Sequence, residues 1–240
     1  MLRIFMQIKA LIKRIPVVGS LAQKLSRTLH REPAVPVVPF RTSPDYWETR
    51  YASGGNSGVG SYGKFSEFKA EVLNRFVKDR AIRSVMEFGC GDGNQLSLAV
   101  YPRYSGYDVS NMAVEMYRLR FAGDPTKSFA NLDQYKGEQA ELVLSLDVIY
   151  HLVEDDVFDR YMRTLFDAST RYVIIYSSNS DDNHGYEGTH VRHRIFTQWL
   201  PENRPSWTLI QHVPNRYPYQ GDYTQGSFAD FYVYGRRTEV

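Results

Sequence analysis

The sequence predicts an α/β fold in which short buried strands alternate with helices and form a mainly parallel sheet. The first observation is an apolar strand at residues 84–88 that runs directly into a glycine-rich turn. The second is a pair of predicted strands, at residues 104–110 and 141–147, that contain or end on an aspartate. The third is the alternating apolar pattern at residues 230–234, which is typical of a strand late in the chain.

The composition of the 240-residue chain is that of a soluble globular protein with one substantial domain. Hydrophobic residues make up 42% and charged residues 23% of the chain, which are ordinary values. The single cysteine excludes an internal disulfide and a cysteine-rich metal site, and it favours a reducing compartment, so we expect a cytoplasmic location. The formal net charge of +2 argues against a nucleic-acid partner.

Residues 1–32 form a basic segment that differs in charge from the rest of the chain. They carry seven basic side chains against one acid, a net charge of +6, whereas the remaining residues carry a net −4. Apolar residues at helical spacing predict an amphipathic helix that ends or kinks at Pro16. Charges interrupt it too often for a membrane-spanning helix or a signal peptide. Two interpretations stay open: peripheral contact with an anionic inner membrane face, or packing on protein with partial disorder.

Four prolines within residues 33–44 predict an extended linker between the basic segment and a folded body. The body is predicted to span residues 45–240, a length that suits one domain. The sequence does not determine the oligomeric state.

The first predicted strand leads into a loop with glycine at every second position. Glu87 lies in the strand, and Gly89, Gly91 and Gly93 follow it. Glycines let a backbone approach a ligand closely, and a helical pattern after the loop predicts free N–H groups at a helix N-terminus. Asn94 stands where the dinucleotide fingerprint requires glycine or alanine, which disfavours a nicotinamide-dependent oxidoreductase.

The spacing E-x-G-x-G-x-G resembles the first motif of the class I S-adenosylmethionine-dependent methyltransferases. This resemblance implies a three-layer α/β sandwich with a seven-stranded, mostly parallel, Rossmann-like sheet and an antiparallel last strand. It also implies S-adenosylmethionine as the cofactor, with Glu87 near its methionine part and the glycine loop around the adenosyl-methionine junction. The resemblance covers about residues 46–237.

The second predicted strand ends near Asp108, which lies 15 residues after Gly93. A carboxylate at this place can accept hydrogen bonds from both ribose hydroxyls of a nucleoside cofactor. The alternative is that Asp108 caps the helix predicted at residues 111–119. In the family that the motif resembles, the segment at residues 128–135 approaches adenine, and Phe129 is a candidate for that contact.

The apolar run at residues 141–147 resembles the fourth strand of the family, whose end faces the transferred methyl group. The resemblance makes Ser145 a candidate for cofactor binding and Asp147 and His151 candidates for catalysis. His151 is the better base for an acceptor hydroxyl, because an unperturbed imidazole titrates near pH ~6.5. The alternative is that His151 caps a helix or faces solvent. Later strands are predicted at residues 171–176, 207–213 and 228–234.

A tyrosine- and tryptophan-containing segment at residues 46–51 precedes a glycine-rich stretch at residues 53–63. Small methyltransferases often carry a similar segment folded over the cofactor, and the stretch is predicted to be a lid that orders on binding. The alternative is a flexible loop with Trp47 packed in the core. Arg50 is expected to pair with the methionine carboxylate. The candidates are Tyr46 and Arg50 for the cofactor and Tyr51 and Tyr62 for the substrate.

The polar loop at residues 177–194 follows the fifth predicted strand on the cofactor side of the sheet. Its histidines and arginines can hydrogen-bond a polyhydroxylated acceptor or neutralise a phosphate or carboxylate. Aspartates in and near it offer the oxygen ligands that Mg²⁺ prefers. The alternative is a solvated loop with a cationic edge. The candidates are His190, Arg192 and His193 for the substrate and Asp147, Asp181 and Asp182 for Mg²⁺.

Together these features predict a S-adenosylmethionine-dependent methyltransferase. The polar acceptor loop favours a hydrophilic small molecule, and the arrangement is similar to that of bacterial methyltransferases associated with polysaccharide synthesis. We therefore expect O-methylation of a sugar or another polar hydroxylated small molecule in polysaccharide or natural-product biosynthesis. The alternatives are N- or carboxyl methylation of another small molecule, and a non-catalytic binding module with a methyltransferase fold.

Overall fold

The computed structural model describes residues 40–237, in which seven strands form one sheet. Strands β1 to β5 pair in parallel, whereas β7 runs antiparallel to both β5 and β6. The order β3-β2-β1-β4-β5-β7-β6 confirms the mostly parallel sheet with its antiparallel last strand. The strands are β1 Val85–Phe88, β2 Tyr104–Asp108, β3 Lys127–Asn131, β4 Ala140–Leu146, β5 Ser169–Ser177, β6 Trp207–Val213 and β7 Asp230–Arg236.

Helices cover both faces of this sheet and complete the three layers. Leu73 and Phe76 belong to one buried apolar cluster, and Phe158 and Met162 belong to a second cluster on the opposite face. The central strands are nearly continuous apolar runs because a parallel sheet between two helical layers is buried on both faces. The helices are α1 Ser43–Ala52, α2 Gly63–Asp79, α3 Asn111–Arg120, α4 Asp155–Asp167 and α5 Trp199–Asn203.

Two helices begin where the sequence supplies a capping side chain. The hydroxyl of Thr42 accepts a hydrogen bond from the backbone N–H of Asp45 at 3.3 Å, and that of Ser110 accepts from Ala113 at 3.1 Å. Such bonds satisfy N–H groups that lack a partner in the first helical turn. Helix α1 therefore begins at Ser43, two residues before the predicted start of the body.

The helix predicted after the glycine loop is absent from this part of the described chain. One turn of 3₁₀ helix forms at Leu96–Leu98, and extended chain then leads into β2. Only residues 94–103 separate Gly93 from β2, and Pro102 among them has no N–H to donate. Ten residues are too few to form a helix that packs on the sheet and then to lead the chain back to the start of β2. Val100, in the chain that follows this turn, is 74% exposed.

The topology creates a crevice at the carboxyl ends of β1, β2 and β4. β1 lies between β2 and β4, so the connections on its two sides run in opposite directions across the sheet. Ligands of open α/β sheets bind at such a switch point, outside the carboxyl ends of the strands. The loops that follow β1, β2 and β4 are therefore the ones that build the site.

The basic segment at residues 1–32 and residues 33–39 of the predicted linker lie outside the described residues. Their predicted roles stay predictions. Within residues 40–237, no helix is both long enough and apolar enough to cross a membrane.

Candidate active site

A cavity of about 420 Å³ lies over the carboxyl ends of β1, β2 and β4. The glycine loop and the turn after β4 line it together with parts of α1, α2 and α4. Its position matches the crevice in which a sheet of this topology binds a nucleoside cofactor. The residues predicted for the site that line the cavity are Tyr51, Glu87, Gly89, Gly91, Asp108, Asp147 and His151.

The glycine loop depends on glycine for its backbone shape. Gly89, Gly91 and Gly93 have φ angles of 77°, 77° and 82°, in the left-handed region. A Cβ atom at Gly89 would lie 2.5 Å from Cγ2 of Val148, and one at Gly91 would collide with the hydroxyl of Ser57. The first two glycines thus let the loop approach the turn after β4 and the segment after α1. Gly93 shapes the loop without lining the cavity.

Asp108 lies at the end of β2 with its carboxylate turned toward the glycine loop. One oxygen accepts a hydrogen bond from the N–H of Gly91 at 2.8 Å, and the other accepts from the N–H of Ser110 at 2.9 Å. Burial raises the pKa of Asp108 to about 6, although these backbone bonds act in the opposite direction. The cap of α3 is Ser110, so the alternative role of Asp108 as its side-chain cap is wrong.

Glu87 is a buried carboxyl group on the cavity wall. It accepts a hydrogen bond from the hydroxyl of Tyr104 at 2.6 Å. Burial raises its pKa to about 7, against the opposing effects of Tyr104 and of the positive charge of Lys69. At neutral pH the group is therefore poised between its two protonation states, and a cationic ligand in the cavity would favour the charged form.

A buried ion pair joins α2 to the turn after β4. Nζ of Lys69 lies 2.7 Å from Oδ2 of Asp147, and the Lys69 side chain is 1% exposed. Asp147 has a φ of 59°, unusual for a residue other than glycine, and its second oxygen accepts from the hydroxyl of Tyr150 at 2.8 Å. Both oxygens of Asp147 thus have protein partners, and Asp147 faces the cavity in a fixed orientation.

The sequence contains one signal for Lys69 that the sequence analysis did not use. The residues four positions before and after it on α2, Phe65 and Leu73, are both buried and apolar. A lysine on the apolar stripe of a helix must find a partner in the interior. That partner, Asp147, is 78 residues away along the chain, so the sequence pattern indicates an exception but not the contact.

His151 lines the cavity just beyond the turn after β4. Its Nδ1 lies 3.0 Å from the carbonyl oxygen of His190. A carbonyl oxygen only accepts, so Nδ1 carries the proton and Nε2 carries the lone pair. Burial lowers the pKa of His151 to about 3, which keeps the ring uncharged at physiological pH. The ring also contacts Trp47 edge-on, at 4.9 Å between ring centroids.

The segment after α1 is fastened onto the glycine loop through one buried carboxylate. Asp92 accepts from the N–H of Ser57 at 2.8 Å and from the hydroxyl of Tyr62 at 2.8 Å. Its own N–H donates to the hydroxyl of Ser57 at 2.9 Å. The side chain of Asn94 donates to the carbonyl of Ser61 at 2.8 Å, and Tyr51 and Ser57 share a hydrogen bond at 2.9 Å. These bonds attach the stretch predicted as a lid to the glycine loop.

Arg50 and Tyr46, both predicted to contact the cofactor, do not line the cavity. The guanidinium of Arg50 donates from Nε to the carbonyl of Asn56 at 2.7 Å and from Nη1 to the Tyr46 hydroxyl at 3.4 Å. The ring of Tyr46 stacks on His190 at 4.1 Å. In this arrangement both residues fix α1 against its neighbours instead of reaching into the cavity.

Phe129 and Ser145 also lie away from the cavity. Phe129 packs in the aromatic cluster around Tyr117, with 4.6 Å between ring centroids, because its position on β3 turns it toward the α2 and α3 side. Ser145 is fully buried and accepts a hydrogen bond from the hydroxyl of Tyr161 at 2.8 Å. The cavity wall in the predicted adenine region comes from other residues. They are Val109, Leu132 and Tyr135.

The loop at residues 177–194 uses its cationic side chains within the protein. Arg192 donates to the carbonyl of Val153 at 2.9 Å, and Arg194 donates to the carbonyls that follow the turn after β4. His193 is buried and shares a hydrogen bond with the hydroxyl of Ser178 at 2.7 Å. None of the predicted substrate residues in this loop lines the cavity, and His190 reaches it only through its contacts with His151.

The structure does not assemble the residues predicted to bind Mg²⁺. Asp181 and Asp182 are exposed, whereas Asp147 is committed to Lys69 and Tyr150. Among residues 40–237, no group of three or more histidine, cysteine, aspartate or glutamate side chains is arranged to hold a metal ion.

Gln95 lines the cavity and was missed by the sequence analysis. Its side-chain N–H donates to the carbonyl of Ser66 at 3.1 Å, but its buried carbonyl oxygen has no hydrogen-bond partner. Buried polar atoms without a partner are rare in folded proteins, because water is lost and nothing replaces it. An unpaired acceptor beside a glycine cradle, two acidic groups and a buried lysine suits the predicted cofactor, which carries a ribose, an ammonium and a carboxylate group.

Comparison of sequences with known proteins gives one family match. A family model described as a methyltransferase domain matches residues 62–217, well over half of the chain. No curated protein matches the chain significantly.

Solved structures share the fold at low sequence identity. The N-methyltransferase NodS from Bradyrhizobium japonicum WM9, in complex with S-adenosyl-L-homocysteine, is 18% identical with a TM-score of 0.63, covering 83% of this chain and 100% of that chain. Magnesium protoporphyrin IX methyltransferase (ChlM) from Synechocystis PCC 6803, with bound S-adenosylmethionine, is 16% identical with a TM-score of 0.58 and covers the same shares. The methyltransferase domain of bacterial CtHen1 is 18% identical with a TM-score of 0.53, covering 70% and 97%.

Proposed function

The chain belongs to the methyltransferase domain family, with the class I S-adenosylmethionine-dependent fold, and from this premise we propose that it methylates a hydroxyl group of a polar small molecule. A carbohydrate is the acceptor class that we favour. The similar structures share only the fold with this chain, and their names include an N-methyltransferase and a porphyrin methyltransferase, so the acceptor is argued from the site itself.

The cavity residues suit S-adenosylmethionine as the methyl donor. The glycine loop gives room for the adenosyl-methionine junction, and Asp108, when ionised, can accept hydrogen bonds from ribose hydroxyls. The apolar side chains of Val109 and Leu132 provide a surface for the adenine ring. The cofactor supplies a methyl group on a sulfonium, which is already activated for displacement. The protein's task is then to align the acceptor in line with that methyl and to exclude water.

The observation that carries the hydroxyl acceptor is the fixed tautomer of His151. A hydroxyl must lose its proton during methyl transfer, whereas a carboxylate acceptor needs no base. The His190 carbonyl holds the proton on Nδ1, so Nε2 is available to accept a proton from a hydroxyl group. Burial lowers the pKa of His151 to about 3, so the ring is uncharged before the acceptor binds but is a weaker base than a free imidazole. The hydroxyl oxygen becomes strongly acidic as it bonds to the methyl carbon, so Nε2 can still take its proton.

A small number of polar side chains on the acceptor side support a hydroxylated molecule. Ser43, Ser57, Ser61 and Tyr51 line the cavity near α1 and the residues after it, in a lining that is otherwise mostly apolar. The hydroxyl of Ser43 bonds Glu154, and those of Tyr51 and Ser57 bond each other. Neutral groups of this kind recognise hydroxyls without requiring a charge on the ligand.

Replacing His151 with glutamine tests the role of this residue. We expect kcat to fall by about 10²- to 10³-fold, the usual contribution of a general base, with little change in cofactor affinity. The measurement is turnover of a panel of free sugars and sugar glycosides, with primary amines and carboxylic acids as the other acceptor classes. Each reaction is run with and without EDTA, which reports whether Mg²⁺ assists.

The matched control is His212→Gln, which changes a histidine on β6 that pairs with Asp230, away from the cavity. It should keep the rate of the unaltered protein. A His151→Gln protein with full turnover on sugars would contradict the proposed base. Turnover of amines or carboxylic acids but of no sugar would contradict the acceptor class.

A further inference from the structure

We infer that Lys69 and Gln95 bind the amino-acid end of the cofactor, with the methionine carboxylate at Nζ of Lys69 and the ammonium at Oε1 of Gln95. The inference rests on the use of S-adenosylmethionine proposed above and is independent of the acceptor. It gives the carboxylate-binding role, expected at Arg50 from the sequence, to a residue that lies in the cavity.

Lys69 has donor capacity that the protein leaves unused. Its ammonium group has three N–H donors, and the structure gives it one hydrogen bond, to Asp147, besides the face of the Tyr176 ring at 5.3 Å. The side chain is 1% exposed, so water does not satisfy the rest. A buried ion pair often contributes little to stability, so the presence of this pair beside a cavity points to a role in binding.

Gln95 has a hydrogen-bond acceptor without a partner. It is 8% exposed, and its Nε2 is fixed by the carbonyl of Ser66. Because Nε2 is already engaged in that bond, the amide oxygen Oε1 is the atom available to a ligand, and it has no partner. An ammonium group is a donor only, so it matches an unpaired acceptor.

The two groups belong to the same wall of the cavity. Ser66, which anchors Gln95, lies three residues before Lys69 on α2, and residues three apart share a face of a helix. Glu87 lies close enough for its pKa to respond to the charge of Lys69. An amino acid in this corner would find a cation for its carboxylate and an amide oxygen for its ammonium, with Glu87 adding negative charge.

The other cations of the region do not compete for this role. Arg160 also lines the cavity, but it lies on α4 and pairs with Asp156 at 2.7 Å. Arg50 lies outside the lining, and its guanidinium donates to Asn56 and Tyr46. Among the described residues, Lys69 is therefore the cation that lines the cavity together with the buried Glu87 and Gln95.

Calorimetric titration of two nucleosides separates this role from a merely structural one. S-adenosylhomocysteine carries the amino-acid end, whereas 5′-methylthioadenosine lacks it. We expect Lys69→Met to weaken S-adenosylhomocysteine binding about 10- to 100-fold, the range for loss of a hydrogen bond to a charged group. Gln95→Met should weaken it about 5- to 10-fold. Binding of 5′-methylthioadenosine should change less than about twofold in both variants.

Two further variants keep the test decisive. Lys78→Met, on the exposed end of α2, is the matched control and should bind both nucleosides like the unaltered protein. Lys69→Met leaves Asp147 unpaired in the interior, so a poorly folded single variant is replaced by Lys69→Met with Asp147→Asn, which removes both charges.

Three results would overturn the inference. Equal losses for both nucleosides would show that Lys69 only supports the cavity. If Lys69→Met bound S-adenosylhomocysteine with unchanged affinity, the contact would be excluded. The exclusion would be clearest if Arg50→Met lost affinity for S-adenosylhomocysteine but not for 5′-methylthioadenosine. An unaltered protein that bound neither nucleoside would overturn the use of the cofactor itself, a failure distinct from that of Lys69. Failure to methylate sugars would leave this inference standing.

Discussion

At the scale of the single residue, Asp108 shows burial and hydrogen bonding acting in opposite directions on one carboxyl group. Loss of water raises its pKa, and the N–H groups of Gly91 and Ser110 lower it, with a balance at about 6. The ionised form only accepts hydrogen bonds, on both oxygens, whereas protonation turns one oxygen into a donor and weakens it as an acceptor. The protonation of this group therefore links cofactor binding to pH.

We expect the affinity for S-adenosylhomocysteine to increase by about tenfold from pH 5 to pH 8, because Asp108 is mostly protonated at the lower value and ionised at the higher one. His151 stays uncharged over this range and does not contribute. The Asp108→Asn variant should bind weakly and retain only the part of the pH dependence that Glu87, with a pKa of about 7, contributes. Calorimetry at pH 5, 6, 7 and 8 measures both. An equally steep dependence in the variant would assign it to another group, with Glu87 first.

The same raised pKa predicts an effect on folding. Between the ordinary aspartate pKa and about 6, folded Asp108 binds a proton that the unfolded chain has released, so its contribution to stability is present at low pH and is lost as the pH rises. The free energy of unfolding of Asp108→Asn, measured relative to that of the unaltered protein, should therefore rise by about 2.4 kcal/mol from pH 4 to pH 8. Urea unfolding at both pH values measures this. A difference that does not change with pH would contradict the raised pKa.

Sequence reasoning found residues whose role depends on local pattern and missed those defined by distant contacts. Gly89, Gly91 and Asp108 follow from strand-loop order, and the structure places all three at the cavity. Lys69 meets a partner 78 residues away, and Gln95 is fixed by a residue 29 positions before it. No spacing along the chain encodes such pairs.

At the scale of the element, the lid at residues 53–63 depends on Asp92 more than on its own sequence. The predicted lid is rich in glycine and contributes little apolar surface, so hydrogen bonds to the buried Asp92 carboxylate hold it against the glycine loop. The sequence predicts a lid but not its attachment, because Asp92 lies 35 residues beyond Ser57 along the chain and no spacing links the two.

We expect Asp92→Ala to open this lid, because three hydrogen bonds that involve Asp92 lose their partner or their alignment. Amide hydrogen exchange across residues 53–63 should become at least about tenfold faster, which corresponds to loss of about 1.4 kcal/mol of local stability. The matched control is Asp133→Ala, an exposed carboxylate after β3. Unchanged exchange in the Asp92 variant would show that other contacts hold the lid.

Gly89 and Gly123 allow backbone strain alone to be compared with backbone strain plus a steric collision. Gly89 and Gly123 both have left-handed φ angles, 77° and 87°, but a Cβ at Gly123 meets nothing within 4 Å whereas one at Gly89 meets Val148. We expect Gly123→Ala to lose about 1–2 kcal/mol of stability from strain. Gly89→Ala should lose more and should abolish nucleoside binding. Thermal melts and calorimetry measure these effects. Equal losses in both variants would contradict the predicted collision.

At the scale of the whole molecule, the order of strands and glycine motifs was enough to predict the sheet and the position of the cavity. Connections between parallel strands such as β1 to β5 are almost always right-handed crossovers, so this part of the topology is a nearly local property. The cationic loop at residues 177–194 shows the limit of that reasoning. Composition predicted an acceptor site, but its arginines satisfy the carbonyls of Leu152 and Val153, which the sheet brings to the same edge. A charged loop therefore indicates function only when the fold leaves its charges unused.

The last prediction concerns the opposite net charges of residues 1–32 and the rest of the chain. We propose that residues 1–32 make peripheral contact with an anionic membrane. The net +6 of this segment is attracted to anionic lipid, whereas the rest of the chain, at net −4, is repelled. We expect the full chain to sediment with phosphatidylglycerol vesicles at low salt and to be released at high salt. The truncated chain 37–240 should stay in solution and keep its S-adenosylhomocysteine affinity, because every residue described in the cavity lies within it. A full chain that ignores vesicles would favour packing on protein instead.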